Sequence, residues 1–187
     1  MVQSPTKTLA TWSLDDYHRM IEAGILADRQ VELLNGEIVE MPPEGPPHAY
    51  FSGGLADFLR DALRERAQIR EAKPITLLLS QSEPEPDIAV VRRLETVYRE
   101  RHPYPEDIFW AIEFSNSSLN KDLEDKRRVY AAAGIPEYWV VNLKKNLLVV
   151  FREPVEGDYG SKQTFSQGEI RPLAFPEVVI PMSRILA

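Results

Sequence analysis

Two carboxylates in this chain stand where a charge is costly. Asp87 follows Glu83-Pro84-Glu85-Pro86 and opens the apolar run Ile88-Ala89-Val90-Val91, while Glu113 ends the apolar run Ile108 to Ile112. Burying an unpaired carboxylate costs several kcal/mol, so these acids either sit on frayed, solvated strand ends or face a cation. A third residue bears on that choice. On the helix expected from Asn120, the sheet-facing stripe is Leu119, Leu123, position 126, Tyr130 and Ala133, and position 126 is a lysine. Lys126 can snorkel to water past its stem, or it can project over the end of the preceding strand, back towards Glu113, with Asp122 on the same side. Two carboxylates and a lysine at the mouth of a sheet could bind a hard divalent cation and handle an activated water.

The elements that would position these residues follow from local patterns. Ser13 with Asp16 three residues on is a capping box, and Leu14, Tyr17 and Ile21 repeat at helical spacing until Gly24. Asn35-Gly36 lies between Val31-Glu32-Leu33-Leu34 and Glu37-Ile38-Val39-Glu40, a hairpin signal because both turn residues accept positive φ. Pro42, Pro43, Pro46 and Pro47 predict a semi-rigid loop over 42–47, followed by an amphipathic helix from Tyr50 to Gln68. Ile75 to Leu79 reads as a buried strand, Asp87 to Val91 as another, and 92–107 as a long exposed connection.

The run Ile108 to Ser115 suits a central strand, and Asn116-Ser117-Ser118 supplies caps for a helix from about Asn120 to Ala133. Gly134 closes that helix, Pro136 prevents its continuation, and Tyr138 to Val141 is a strand, so the segment forms a right-handed parallel crossover. Leu147 to Phe151 returns antiparallel across Lys144-Lys145-Asn146, and shorter strands are expected near Thr164-Phe165 and Val178 to Ile180. One mixed α/β domain over residues 1–187 accounts for the whole pattern.

Composition narrows the function. The 187 residues hold 22 Lys plus Arg and 29 Asp plus Glu, a net charge of −7, so the protein as a whole is not a generic polyanion binder. Residues 1–48 carry three basic and eight acidic side chains. Basic residues cluster at Arg60 to Lys73, Arg92 to Arg101 and Lys121 to Arg128, runs that are usually solvated faces. Without cysteine there is no disulfide, thiolate metal site or cysteine nucleophile, and a reducing cytoplasm is the simplest compartment. No apolar run approaches a membrane span, and P-loop, dinucleotide, G-x-S-x-G and H-E-x-x-H signatures are missing.

Pro86-Asp87 followed by Glu113-Phe114-Ser115 resembles the PD-(D/E)XK nuclease signature with serine in place of its final lysine. Glu113 to Ser118, Asp122, Lys126, Tyr130 and Gly134 to Val141 further resemble the Uma-two family of restriction-endonuclease-like proteins. Glu32 with Asn35 to Val39, and His48 after the prolines, extend the likeness over about residues 12–151. Asn142 stands where the family usually has Asp. The resemblance implies a central mixed β-sheet flanked by helices with an N-terminal β-hairpin, and a lysine moved onto the following helix, here Lys126. It also implies metal-dependent hydrolysis of DNA phosphodiester bonds. Asp87 and Glu113 would ligate Mg²⁺ or Mn²⁺ with the Phe114 carbonyl, Lys126 would hold or help deprotonate the attacking water, and Glu32 would add an outer ligand or orient a water.

A rival expectation keeps the fold but not the activity: a silent module acting in self-association, with Tyr138, Trp139 and the Leu147 to Phe151 hairpin as its apolar contact surface. The same hairpin and the acidic N-terminal segment suggest a homodimer.

Overall fold

The computed structural model describes residues 9–186. Helix α1 (Leu14–Glu22) starts at Ser13, whose hydroxyl accepts the Asp16 N–H at 3.1 Å while the Asp16 carboxylate accepts the Ser13 N–H at 3.3 Å. Its buried Leu14 and Tyr17 pack on Val31 and Leu33 of the hairpin β1 (Val31–Leu34) and β2 (Glu37–Glu40). Asn35 and Gly36 turn that hairpin at φ 50° and 75°. Gly36 also has no room for a side chain, since a Cβ there would lie 2.9 Å from the Thr11 Cβ and 3.0 Å from the Trp12 carbonyl oxygen.

Pro46 and Pro47 do not prolong the loop; they open helix α2 (Pro46–Leu63). A proline in a helix's first turn gives up only an N–H that has no intrahelical partner there. The helix ends at Leu63, five residues short of the expected limit, and Gln68 begins strand β3 (Gln68–Glu71). Ile75 to Leu79 is not a strand. Ile75 and Leu77 are buried, but their N–H groups donate to the Pro84 and Ser82 carbonyls, and Leu79 on the following 3₁₀ turn is 94% exposed. The apolar run thus plugs a loop instead of joining a sheet.

Six strands form the central sheet, in the order β3, β4 (Ile88–Val91), β5 (Ile108–Ser115), β6 (Glu137–Asn142), β7 (Leu147–Val155) and β8 (Asp158–Phe165). Only β5 and β6 are parallel, joined by the expected crossover. Alternation splits the sheet's side chains between two layers. Ile88, Val90, Trp110, Ile112, Trp139 and Val141 meet α2, whereas Ala89, Val91, Ala111, Tyr138 and Val140 meet the crossover helix. That helix begins with a wide π-type turn, Lys121–Lys126, and continues as α3 (Arg127–Ala132). In the tail, β9 (Glu169–Ile170) pairs with β10 (Ile180–Pro181), so the strand expected at Val178 begins two residues later.

The surface proposed for self-association is interior. Tyr138 and Trp139 are fully buried and Leu148, Val150 and Phe151 nearly so, all covered by the chain's own helices and C-terminal segment.

Candidate active site

The sheet register sets the acids side by side. Ala89 pairs with Ala111 and Ile88 with Ile112 across the antiparallel β4–β5 ladder, so one further step places Asp87 opposite Glu113. Glu113 belongs to the alternate row that faces the crossover helix, whereas Asp87, just ahead of β4, reaches His48 of α2. The Phe114 N–H donates to Asp87 Oδ2 at 2.5 Å and fixes that carboxylate at the strand end. Directly opposed like charges repel, and Asp87 is among the groups that press the Glu113 pKa upward. Burial is the larger cause of that rise, with Asp122 and Glu32 adding to it and Lys126 opposing it.

Lys126 meets Glu113, the inner member of the pair. Its Nζ lies 2.8 Å from Glu113 Oε1 and 2.9 Å from Glu32 Oε2, and its side chain is 3% exposed. Snorkelling is therefore not what the stripe lysine does. Burial would lower its pKa, but Glu113, Glu32 and Asp122 outweigh burial and hold the ammonium well above the ordinary lysine value. The buried Tyr130 hydroxyl donates to the same Glu113 oxygen at 3.0 Å.

Glu32 is not the solvent-facing hairpin residue that alternation alone would allow. It is fully buried, with Lys121 Nζ 2.7 Å from Oε1, and Oε2 accepting from Lys126 and from the Glu85 N–H at 3.2 Å. Burial would raise its pKa; the two ammoniums overcome that and bring it below the ordinary value. The wide turn accounts for the double grip, because an i→i+5 pitch brings residues five apart, Lys121 and Lys126, onto one face.

His48, in the first turns of α2, completes the opposite wall. Its Nε2 lies 3.0 Å from Asp87 Oδ2 and its Nδ1 3.5 Å from Glu44 Oε2, and one ligand atom from each of Glu44, His48 and Asp87 falls within 4.8 Å of the others. Burial opposes protonation of His48, but the Asp87 hydrogen bond and the charges of Asp87 and Glu44 raise its pKa overall. Asp122 is buried as well. Its Oδ2 accepts from Ser115 at 2.7 Å and Ser118 at 2.6 Å, while Oδ1 has no hydrogen-bond partner.

These groups line one cleft of about 410 Å³. Asp87, Glu113, Phe114 and Lys126 border it together, and Glu32 lies beneath, reached through the two lysines. Spacing did not single out Lys121, Glu85 or Glu44. Lys121 and Glu32 are 89 residues apart in sequence, and only the folded register joins them. His48 was marked by the resemblance alone.

A mixed sheet whose one parallel crossover sets an Asp–Glu pair and a helix-borne lysine at a single end is a restriction-endonuclease-like fold. The chain belongs to the Uma2 family, described as "Putative restriction endonuclease", which matches residues 14–183. Among solved structures it is similar to "a putative nuclease belonging to DUF820" from Anabaena variabilis ATCC 29413, with a TM-score of 0.75 and 15% identity, covering 92% of this chain and 96% of that one. No curated protein matches the sequence. Family membership points to a nuclease and thus to a nucleic-acid substrate. Among the described residues no helix is long and apolar enough to cross a membrane.

Proposed function

We propose that the chain is a divalent-metal-dependent endonuclease that hydrolyses DNA phosphodiester bonds at this cleft. The observation that carries the reading is the register-enforced opposition of Asp87 and Glu113 beside a buried lysine. The donor set fits a hard cation. Five carboxylates and two lysines line the cleft, an excess of oxygen ligands and negative charge that suits Mg²⁺ or Mn²⁺. Asp87, Glu113 and the Phe114 carbonyl would hold the ion, with His48 next to Asp87 as the nearest nitrogen donor. Such an ion supplies Lewis-acid stabilisation of charge on the phosphoryl oxygens and a more acidic water.

The chain's own groups then divide the remaining work. Lys126, whose ammonium form is favoured by its carboxylate neighbours, donates hydrogen bonds and positive charge and holds the attacking water. Glu32 spends both oxygens on Lys121, Lys126 and the Glu85 N–H, which supports a positioning role for it rather than that of an outer ligand. Tyr130 orients the Glu113 carboxylate that faces the substrate.

The test is cleavage of supercoiled plasmid and of single-stranded DNA with Mg²⁺, Mn²⁺ or EDTA, in the wild type, Asp87→Asn and Glu113→Gln. Metal-dependent cleavage in the wild type alone is expected. A wild type inert towards every substrate and cation would overturn the reading.

A further inference from the structure

The cleft poses an electrostatic problem for a DNA substrate, because five carboxylates line it and the phosphate backbone is itself anionic. Attraction must come from cations placed beside the cleft. Most basic side chains of the described residues are already engaged: Arg66 pairs with Glu177, Arg93 with Glu65 and Arg127 with Asp158, while others stack on rings, as Arg184 does on Phe58. Among the described residues, Arg64, Lys73, Arg99, Lys144 and Lys145 are exposed and have neither an ion pair nor a ring.

The topology sorts these five cations. Glu71 pairs with Ile88, Ile88 with Ile112, Ser115 with Asn142 and Asn142 with Leu147, so the end of β3, the start of β4, the ends of β5 and β6 and the start of β7 lie at one end of the sheet. Lys73 follows β3 there, near enough to Glu85 on the cleft wall to lower its pKa against the burial that raises it. Lys144 and Lys145 form the β6–β7 turn at the same end. That turn is fastened to the site by the Leu143 N–H, which donates to the Ser115 carbonyl at 3.0 Å, and by the Lys145 N–H, which donates to Asn142 Oδ1 at 3.0 Å. Arg64 precedes β3, which places it at the opposite end; Arg99 lies on the connection after β4, which comes back beside Pro74 and Glu85 at His102, so it belongs to neither group.

Across the active end, the order is therefore Lys73, Asp87, Glu113, then Lys144 and Lys145, spanning three strand intervals from β3 to β6, about 14 Å at ~4.8 Å per strand. We propose that Lys73 on one flank and the Lys144–Lys145 turn on the other contact the phosphates on either side of the scissile one, laying the DNA backbone across the sheet end. This rests on the DNA-hydrolysis reading and adds the substrate's path. It also assigns a use to the turn, which the metal site does not touch.

Each phosphate contact of this kind releases counterions, so it steepens the salt dependence of binding by about one unit of log Kd per log salt. Fluorescence polarisation with a short labelled DNA duplex, in Ca²⁺ instead of Mg²⁺, reads that slope. Lys73→Gln should reduce it by about 1 and Lys144→Gln/Lys145→Gln by about 2, with weaker binding in both, whereas Arg64→Gln should leave it unchanged. Lysine variants with the wild-type slope, or an equal loss in the Arg64 variant, would overturn the path while leaving metal-dependent cleavage by the wild type standing. A wild type that neither binds the duplex nor cleaves DNA would overturn the path and the nuclease reading together.

Discussion

Lys126 sits between two carboxylates, and removing it would leave Glu32 and Glu113 buried without their shared counter-charge. Breaking one side of a buried ion pair costs about 3–5 kcal/mol. We therefore expect Lys126→Met to lower the urea unfolding free energy by about that amount. Adding Glu32→Gln should recover part of the loss, since one of the stranded charges goes with it; equal stability of the single and double variants would mean that Glu32 and Lys126 are not coupled. Asp87 behaves differently. Asn in its place can still accept the Phe114 N–H, and the relief of repulsion towards Glu113 is set against the lost charge on His48, so Asp87→Asn should shift the stability of the metal-free protein by no more than about 1 kcal/mol. The same change should abolish the rise in melting temperature that Mn²⁺ gives the wild type through preferential binding to the folded state. Thermal melts with and without Mn²⁺ check both halves. A variant that still gained from Mn²⁺ would remove Asp87 from the ligand set.

At the scale of elements, legibility in the sequence followed locality. The Asn35-Gly36 hairpin, the Ser13 cap and the β5 to β6 crossover are encoded within short windows, and each stands where its pattern predicts. Strand β3 was missed because Gln68-Ile69-Arg70-Glu71 is a polar, half-buried edge strand without an apolar signature. Pro46 was misread because proline marks loops and first helical turns alike. That Asp87, Glu113 and Lys126 border one cleft was legible because each sits beside an apolar run that makes its charge anomalous. Glu32 gave no such signal within its own strand, since its cations come from 89 and 94 positions away. The hairpin delivers Glu32 to the site, so its turn is a test of the site as well as of the fold. Gly36→Ala forces a side chain into positive φ and against Thr11 and Trp12, and should cost about 1–3 kcal/mol. Denaturant unfolding should show that loss, and plasmid cleavage should fall with it. Unimpaired cleavage by a folded Gly36→Ala protein would detach the hairpin from the chemistry.

At the scale of the whole molecule, the formal charge of −7 conceals how little of the basic complement is free, and more than half of the residues in the basic runs are paired to acids, some of them distant in the chain, as Arg66 is to Glu177. Exposed pairs of that kind contribute little to stability. Acid stability should instead depend on the buried network around Glu32, whose folded pKa lies below the ordinary value of 4.5. A carboxylate with a depressed folded pKa stabilises the native state above its unfolded value, and that stabilisation is lost as pH falls through the folded one. Between neutrality and 4.5 the Glu32 contribution should hold constant, and below 4.5 it should decline. Glu32→Gln keeps the shape of the side chain but removes its titration. Urea unfolding measured from neutral to acid pH should show the wild type losing its advantage over Glu32→Gln only on the acid side of 4.5. Two curves that stay parallel there would show that the carboxylate's charge, as distinct from its hydrogen-bond geometry, adds nothing to the fold.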